Sequence, residues 1–232
     1  PEGEKNKYVF VKGNTSSYDL VYNVLKTYDI DTVINFAAQS HVDNSFNNSL
    51  VFTNDNILGT HTLLEACRAI GKPIKRFIHV STDEVYGESQ LNEEKKIEQS
   101  VLCPTNPYAA TKAGAELIVM SYYHSYGMPI IITRGNNVYG PRQYPEKLIP
   151  KFINLINNKQ PLTIQGSGDA LRSFIYVEDV STAFFTIMNK GEIGVIYNIG
   201  ADDENEFSVL DITKMLLNMM SPPGYDGSVD KF

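Results

Sequence analysis

The chain has 232 residues, enough for one large domain or one domain with a small appendage. Its 42% hydrophobic content is ordinary for a globular protein and excludes wholesale disorder, and no run reaches the roughly 18 apolar residues that a membrane span needs. A formal net charge of −7 gives no electrostatic reason to expect nucleic acid or an anionic membrane as a partner.

Taken in order, the elements alternate between strand and helix. Tyr8 to Lys12 alternates as a strand, and Ser17 to Tyr28 has the apolar spacing of an amphipathic helix. Thr32 to Ala37 is a short apolar strand ending in small residues. Val51 to Ile70 reads as one long helix, stopped by Gly71 and Pro73. Arg76 to Val80 is a buried-type strand, and Pro107 opens a helix that runs to Tyr126. Met128 to Thr133 is the third apolar strand. Strands separated by helices of these lengths predict βαβ units and a parallel sheet covered on both faces, an α/β fold.

From Tyr139 the texture changes. Pro141, Pro145, Pro150 and Pro161 punctuate a helix-loop-strand stretch that also holds Gly166 and Gly168. A strand near Ser173 to Val177, a helix to Asn189, a strand at Val195 to Ile199 and a last helix near Ser208 to Met219 follow. This part is expected to form a smaller lobe. Glu88 to Ser100 is charged and polar, the composition of a solvated surface loop. Cys67 and Cys103 lack CxxC spacing, so reduced thiols and a cytoplasmic setting are expected. The four histidines show no metal-ligand spacing, and no metal is expected.

A dinucleotide-binding sheet normally opens with a strand, a Gly-rich turn and a helix, which let backbone N–H groups approach the pyrophosphate. No G-x-G-x-x-G or G-x-x-G-x-x-G occurs in the first forty residues, so the chain is expected to start mid-fold, as a fragment.

Two motifs carry chemistry. Ser81-Thr82-Asp83-Glu84-Val85-Tyr86-Gly87 follows an apolar strand directly, and ligands of parallel sheets bind beyond the carboxyl ends of strands. A solvated Asp-Glu turn is the ordinary reading of such a pair. Adjacent carboxyls become useful when their surroundings separate them into an acid and a base. In Tyr108-Ala109-Ala110-Thr111-Lys112 the first and last residues lie one helical turn apart on one face. A phenol is a poor base at neutral pH, and a nearby ammonium is expected to favour the phenolate. Such a pair could draw a proton from a hydroxyl as hydride leaves, although Y-x-x-x-K by itself is most often a surface pair.

Seven motifs occur in order: Phe36 to Asp43 (FAAQSHVD), Asn56 to Thr60 (NILGT), His79 to Gly87 (HVSTDEVYG), Pro104 to Glu116 (PTNPYAATKAGAE), Thr133 to Phe152, Ile164 to Val180 and Tyr197 to Gly200 (YNIG). Together they resemble the extended short-chain dehydrogenase/reductase superfamily, and within it the dTDP-glucose/UDP-glucose 4,6-dehydratases, over nearly the whole chain. The resemblance implies an NAD-binding Rossmann-type parallel sheet, incomplete at its N-terminal end, with a small substrate-binding lobe. Residues 1–140 would form the partial core. Residues 141–232 would form mainly the nucleotide-sugar lobe, with one strand returning to the core.

The same resemblance implies roles. Asn14, Ala37, Ala38, Gln39, Thr60, Tyr108, Lys112 and Val138 would bind NAD. Asn14 stands where the family usually has Asp, and an amide oxygen can still accept from an adenine amine. Ser40, Thr82, Asn137, Lys147, Leu148 and Arg172 would bind the nucleotide sugar, Arg172 through a phosphate. Thr82, Asp83, Glu84, Tyr108 and Lys112 would be catalytic. Tyr108 would take the C4 hydroxyl proton, Glu84 the C5 proton, and protonated Asp83 would give a proton to the departing C6 hydroxyl. The product would be a 4-keto-6-deoxy sugar of the kind used in rhamnose and other deoxysugar synthesis.

Within the resemblance, Asp83 favours elimination over relatives that resemble S-T-S-E here and over 4-epimerases, which need no acidic pair. The nucleotide, dTDP or UDP, stays open, and so does the activity of these 232 residues by themselves. The alternatives are a truncated, non-catalytic homologue acting as a structural or dimerising partner, and a UDP-sugar 4-epimerase. In the family the helices at Val51 to Ile70 and Pro107 to Tyr126 build a four-helix interface, which implies a homodimer.

Overall fold

The computed structural model describes residues 8–87, 95–164, 166–201 and 206–231. In chain order the first half contains α1 (Tyr18–Thr27), β1 (Thr32–Asn35), α2 (Val42–Asn47), α3 (Ser49–Phe52), α4 (Gly59–Ala69), β2 (Arg76–Thr82), α5 (Pro107–Tyr126) and β3 (Ile130–Gly135). There follow β4 (Asn137–Tyr139), α6 (Leu148–Asn157), β5 (Leu162–Ile164), β6 (Leu171–Tyr176), α7 (Val177–Lys190), β7 (Ile196–Ile199), β8 (Glu206–Ser208), α8 (Val209–Met220) and β9 (Val229–Lys231). The chain divides into two compact units, Pro1–Arg134 with Ile187–Asn198, and Gly135–Thr186 with Ile199–Phe232.

The first unit is organised by a sheet of order β1-β2-β3-β7, in which β1 and β2 are parallel with Thr32 opposite Arg76 and Asn35 opposite His79. These strands are apolar runs, and burial makes them so: Phe77, Ile78, Ile130, Ile131 and Ile132 are all but inaccessible. Leu64 from α4 and Val119 from α5 join Phe77, Ile130 and Ile132 in one core. Helix α5 has strong stop and start signals. The Asn106 side chain accepts from Ala109 N–H, Pro107 occupies the first turn, and Gly127 closes the helix in the left-handed region at φ 62°, where a side chain would be strained. Among the described residues no helix is long and apolar enough to cross a membrane.

The second unit holds the β4-β6-β8 sheet, the short β5-β9 pair, and a core of Phe152, Ile156, Leu162 and Ile164 beneath α6 and α8. Ser208 and Asp211 form a reciprocal capping box at the start of α8.

Two expectations are corrected. Tyr8 to Lys12 is irregular and its large side chains are exposed, because no described segment pairs with it and a strand needs a ladder partner. The long helix begins two residues earlier, at Ser49, and is interrupted by a π-helical turn, Thr53–Leu58. The extra residue in that turn brings Asn56 inward, where it is buried. Of the expected solvated loop, residues 88–94 lie outside the described residues. Its end is structural: Glu98 accepts from Arg134 through its carbonyl and from Asn198 N–H through its carboxylate.

The buried polar core of the first unit centres on Arg134, which forms a fork with Glu116 (2.7 Å for the shortest arm), donates to the Tyr86 hydroxyl at 2.8 Å and stacks on the Tyr86 ring. Arg134 and Glu116 are 3% and 2% exposed, so each depends on the other for its charge. Arg134→Met alone is expected to destabilise the protein by about 3–5 kcal/mol, because it strands a buried carboxylate. Arg134→Met combined with Glu116→Leu should cost less, and urea denaturation of the two variants checks the order.

Candidate active site

Strand β2 ends in a buried Ser81 and Thr82, and the chain then winds into a 3-10 turn, Asp83–Tyr86. The Thr82 hydroxyl starts the turn, accepting from Glu84 N–H at 3.3 Å and donating to the Asp83 carboxylate at 3.1 Å. Gly87 ends it at φ 84°, where a Cβ would run into the Cys103 carbonyl. The two acids therefore occupy consecutive positions of one short turn with different neighbours. Burial pushes the Asp83 carboxyl up to about 6, against a pull from the Thr82 hydroxyl and with a push from the Glu84 charge. Glu84 accepts a hydrogen bond from the Asn106 amide at 3.0 Å.

Helix α5 brings Tyr108 and Lys112 to the same strand end. Phe52 packs edge-on against Tyr108, with ring centroids 6.4 Å apart, and Lys112 donates to the Val80 carbonyl of β2 at 2.6 Å. Burial raises the Tyr108 phenol to about 12; Thr82 opposes this, while Glu84 and Asp83 add to it. Burial lowers Lys112 to about 8, with Glu116 one turn away pulling it back up.

A second group lies at the end of β1. Gly13, Asn14, Thr15, Ala37, Ala38, Gln39 and Asp55 line a recess of about 270 Å³. Buried Asn56 holds this loop from both sides. Its oxygen accepts from Gln39 N–H at 2.7 Å, and its nitrogen donates to the Gln39 carbonyl and to Thr111 of α5 at 2.9 Å. The Gln39 side chain donates to Asp55, and Asn14 accepts from Ser16 N–H, which leaves the Asn14 oxygen a second lone pair. Thr60 is buried and accepts from Asn35 at 3.1 Å, apart from the residues that line the recess. Ser40 is exposed on the loop that follows.

The remaining candidates belong to the second unit. Exposed Asn137 and half-buried Val138 sit on β4, paired with Phe174 and Ile175, and the Val138 carbonyl accepts from Gln143. Lys147 stands at the N-cap of α6, and Leu148 packs on that unit's core. Arg172 is exposed on β6 and donates to the Leu171 carbonyl. Sequence reasoning gave Asn56, Asn106 and Glu116 no roles. Only Asn106 had a readable signal: an Asn directly before a Pro that opens a helix is a cap.

The sheet order and the recess beyond its strand ends make this a Rossmann-type α/β fold of the short-chain dehydrogenase/reductase kind. The family model described as GDP-mannose 4,6 dehydratase matches residues 1–221, and the chain belongs to that family. It is 56% identical over 215 residues to a trifunctional UDP-glucose 4,6-dehydratase/3,5-epimerase/reductase of Arabidopsis thaliana, covering 91% of this chain and 32% of the plant protein. Among solved structures it is similar to a dTDP-glucose 4,6-dehydratase of Streptomyces venezuelae crystallised with NAD, with a TM-score of 0.87, 37% identity, and 96% and 66% of the two chains covered. A UDP-glucuronic acid 4-epimerase of Bacillus cereus, also with NAD, gives a TM-score of 0.85 at 31% identity, covering 99% of this chain and 69% of that one. The chain thus spans about a third of the plant relative's length and about two thirds of each crystallised chain.

The raised Asp83 carboxyl has a consequence for stability. Its value in the fold is about 6 against an ordinary 3.8, so the folded state holds the proton more tightly, and stability falls as pH rises through that window. Asp83→Asn removes this dependence. Its melting temperature relative to the parent is expected to climb between about pH 4 and about pH 6 and stay ahead above about pH 7. A difference that does not change with pH would place the carboxyl in ordinary solvent.

Proposed function

We propose that this chain carries the reaction centre of an NAD-dependent nucleotide-sugar 4,6-dehydratase, a lyase acting on dTDP-glucose or UDP-glucose. The observation that carries this reading is the strand-end turn, where an acid that burial raises to about 6 stands beside one held by an amide donor. That is the pair an elimination needs, an acid for the leaving hydroxyl and a base for the carbon acid. The names of the relatives support the same substrate class.

NAD fits the residues present. Ala37 and Ala38 leave the recess open at the end of β1, with Asn14 and Gln39 beside them, and the buried Ser81 hydroxyl has no partner among the described residues. Asn14, Ala37, Ala38 and Gln39 would hold the cofactor directly, Thr60 would support them from below, and Tyr108, Lys112 and Val138 would serve its nicotinamide end. The chemistry a bound NAD supplies is acceptance of hydride from C4 and its return at C6. Tyr108 takes the C4 hydroxyl proton, and its phenol, held near 12, needs added positive charge to do so. Glu84 takes the C5 proton once C4 is a ketone. Asp83 protonates the C6 hydroxyl as it leaves, a role its raised value suits. Ser40, Thr82, Asn137, Lys147, Leu148 and Arg172 keep the substrate roles implied by resemblance.

We assign the protein to deoxysugar synthesis of the rhamnose type and to the cytoplasm, in keeping with free Cys67 and Cys103. We also assign it a homodimeric state through the helical face on which Leu50, Val51, Leu58 and Leu117 stand exposed. A 4-epimerase needs Tyr108 and Lys112 but no acid for a leaving group, so Asp83 argues for elimination.

Incubation of the full-length protein with dTDP-glucose or UDP-glucose and NAD is expected to yield a 4-keto-6-deoxy sugar. A galactose nucleotide without ketone would favour the epimerase, and no conversion of either sugar would favour a non-catalytic partner. Tyr108→Phe is expected to slow C4 oxidation by about 10²–10⁴-fold. Glu84→Gln should leave oxidation measurable while stopping C5 hydrogen exchange with solvent; normal water loss in that variant would refute the assignment of the base.

A further inference from the structure

A carboxylate base must present one oxygen to the carbon acid, and a free glutamate side chain does not do this unaided. The Glu84 backbone is anchored by its N–H to the Thr82 hydroxyl, but its carboxylate needs its own restraint. Asn106 supplies one, donating from Nδ2 to Glu84 Oε2 at 3.0 Å. The other end of the same amide accepts from Ala109 N–H at 2.8 Å, as the cap of α5. That second bond settles which way the amide faces. Only its oxygen can accept from a helix N–H, so its nitrogen must turn towards the carboxylate. The backbone at Asn106 is extended (φ −138°, ψ 161°) and is followed by Pro107, so the side chain projects from a stiff junction.

We propose that Asn106 is a positioning residue for the C5 base. Its amide caps α5 with the oxygen and holds Glu84 with the nitrogen, tying that base to the helix that carries Tyr108 and Lys112. Both proton acceptors then move as one body, and Glu84 Oε1 is left free for the substrate. This rests on the dehydratase reading of Glu84.

Capping and positioning can be separated, because Asp and Ser cap helices as well as Asn does. Asn106→Asp keeps the cap but turns a carboxylate towards Glu84, and Asn106→Ser keeps the cap without the reach. In the full-length protein with NAD and the nucleotide sugar, both variants are expected to lower the ratio of C5 solvent exchange to C4 oxidation by at least about ten-fold. A ratio equal to the parent's in both variants overturns the proposal, as does a loss in Asn106→Ala alone, which would mark a cap and nothing more. The hydrogen bond is also read without turnover. The side-chain amide protons of Asn106, identified by their disappearance in Asn106→Asp, should shift on Glu84→Ala. If they do not shift, the proposal fails whatever the sugar specificity. If the parent forms no ketone but the shift occurs, the dehydratase reading falls and the pairing of Asn106 with Glu84 stands.

Discussion

The proposed reaction centre depends on one buried contact, the donation from the Lys112 ammonium to the Val80 carbonyl at 2.6 Å. It pins the first turns of α5 to the last residues of β2, so that everything on the helix is placed relative to everything at the strand's end. Burying an ammonium is costly, and the fall of Lys112 to about 8 measures that cost. Glu116, one helical turn on, offsets part of it, and Arg134 in turn neutralises Glu116 with a forked pair. Arg134 reaches Tyr86, the last residue of the acid turn, whose hydroxyl donates to Asn198 of β7. The polar network that supports the lysine thus returns to the turn that holds Asp83 and Glu84.

Within that frame the chemistry comes from unequal surroundings. Desolvation outweighs the hydroxyl bond at Asp83 and raises its carboxyl. Desolvation and two neighbouring acids raise the Tyr108 phenol, and positive charge brought close would lower it again. The recess at the end of β1 is linked to this helix through Asn56, which holds the Gln39 loop and Thr111 at once. The loop at the recess and helix α5 therefore share one buried amide.

Much of this was legible from residues that act locally. Helix α5 could be bounded in the sequence because Asn106, Pro107 and Gly127 are stop and start signals that need no tertiary contact. Strand β2 and its loop were legible from an apolar run ending in Ser-Thr-Asp-Glu. Features set by distant partners were not. Tyr8 to Lys12 alternates correctly yet has no described strand beside it. The π turn leaves no mark in propensity, and Asn56 acquires its role from residues 17 and 55 positions away. The one-turn spacing of Tyr108 and Lys112 was legible, but the direction of the Tyr108 shift comes from burial and two neighbouring acids.

The central claim is that this centre eliminates water by moving hydride within one sugar, and an isotope placed at C4 tests it most directly. With the nucleotide-glucose deuterated at C4, the deuterium is expected at C6 of the product and hydrogen from solvent at C5. Deuterium found again at C4 of an epimerised sugar, or absent from a ketone product, would contradict it.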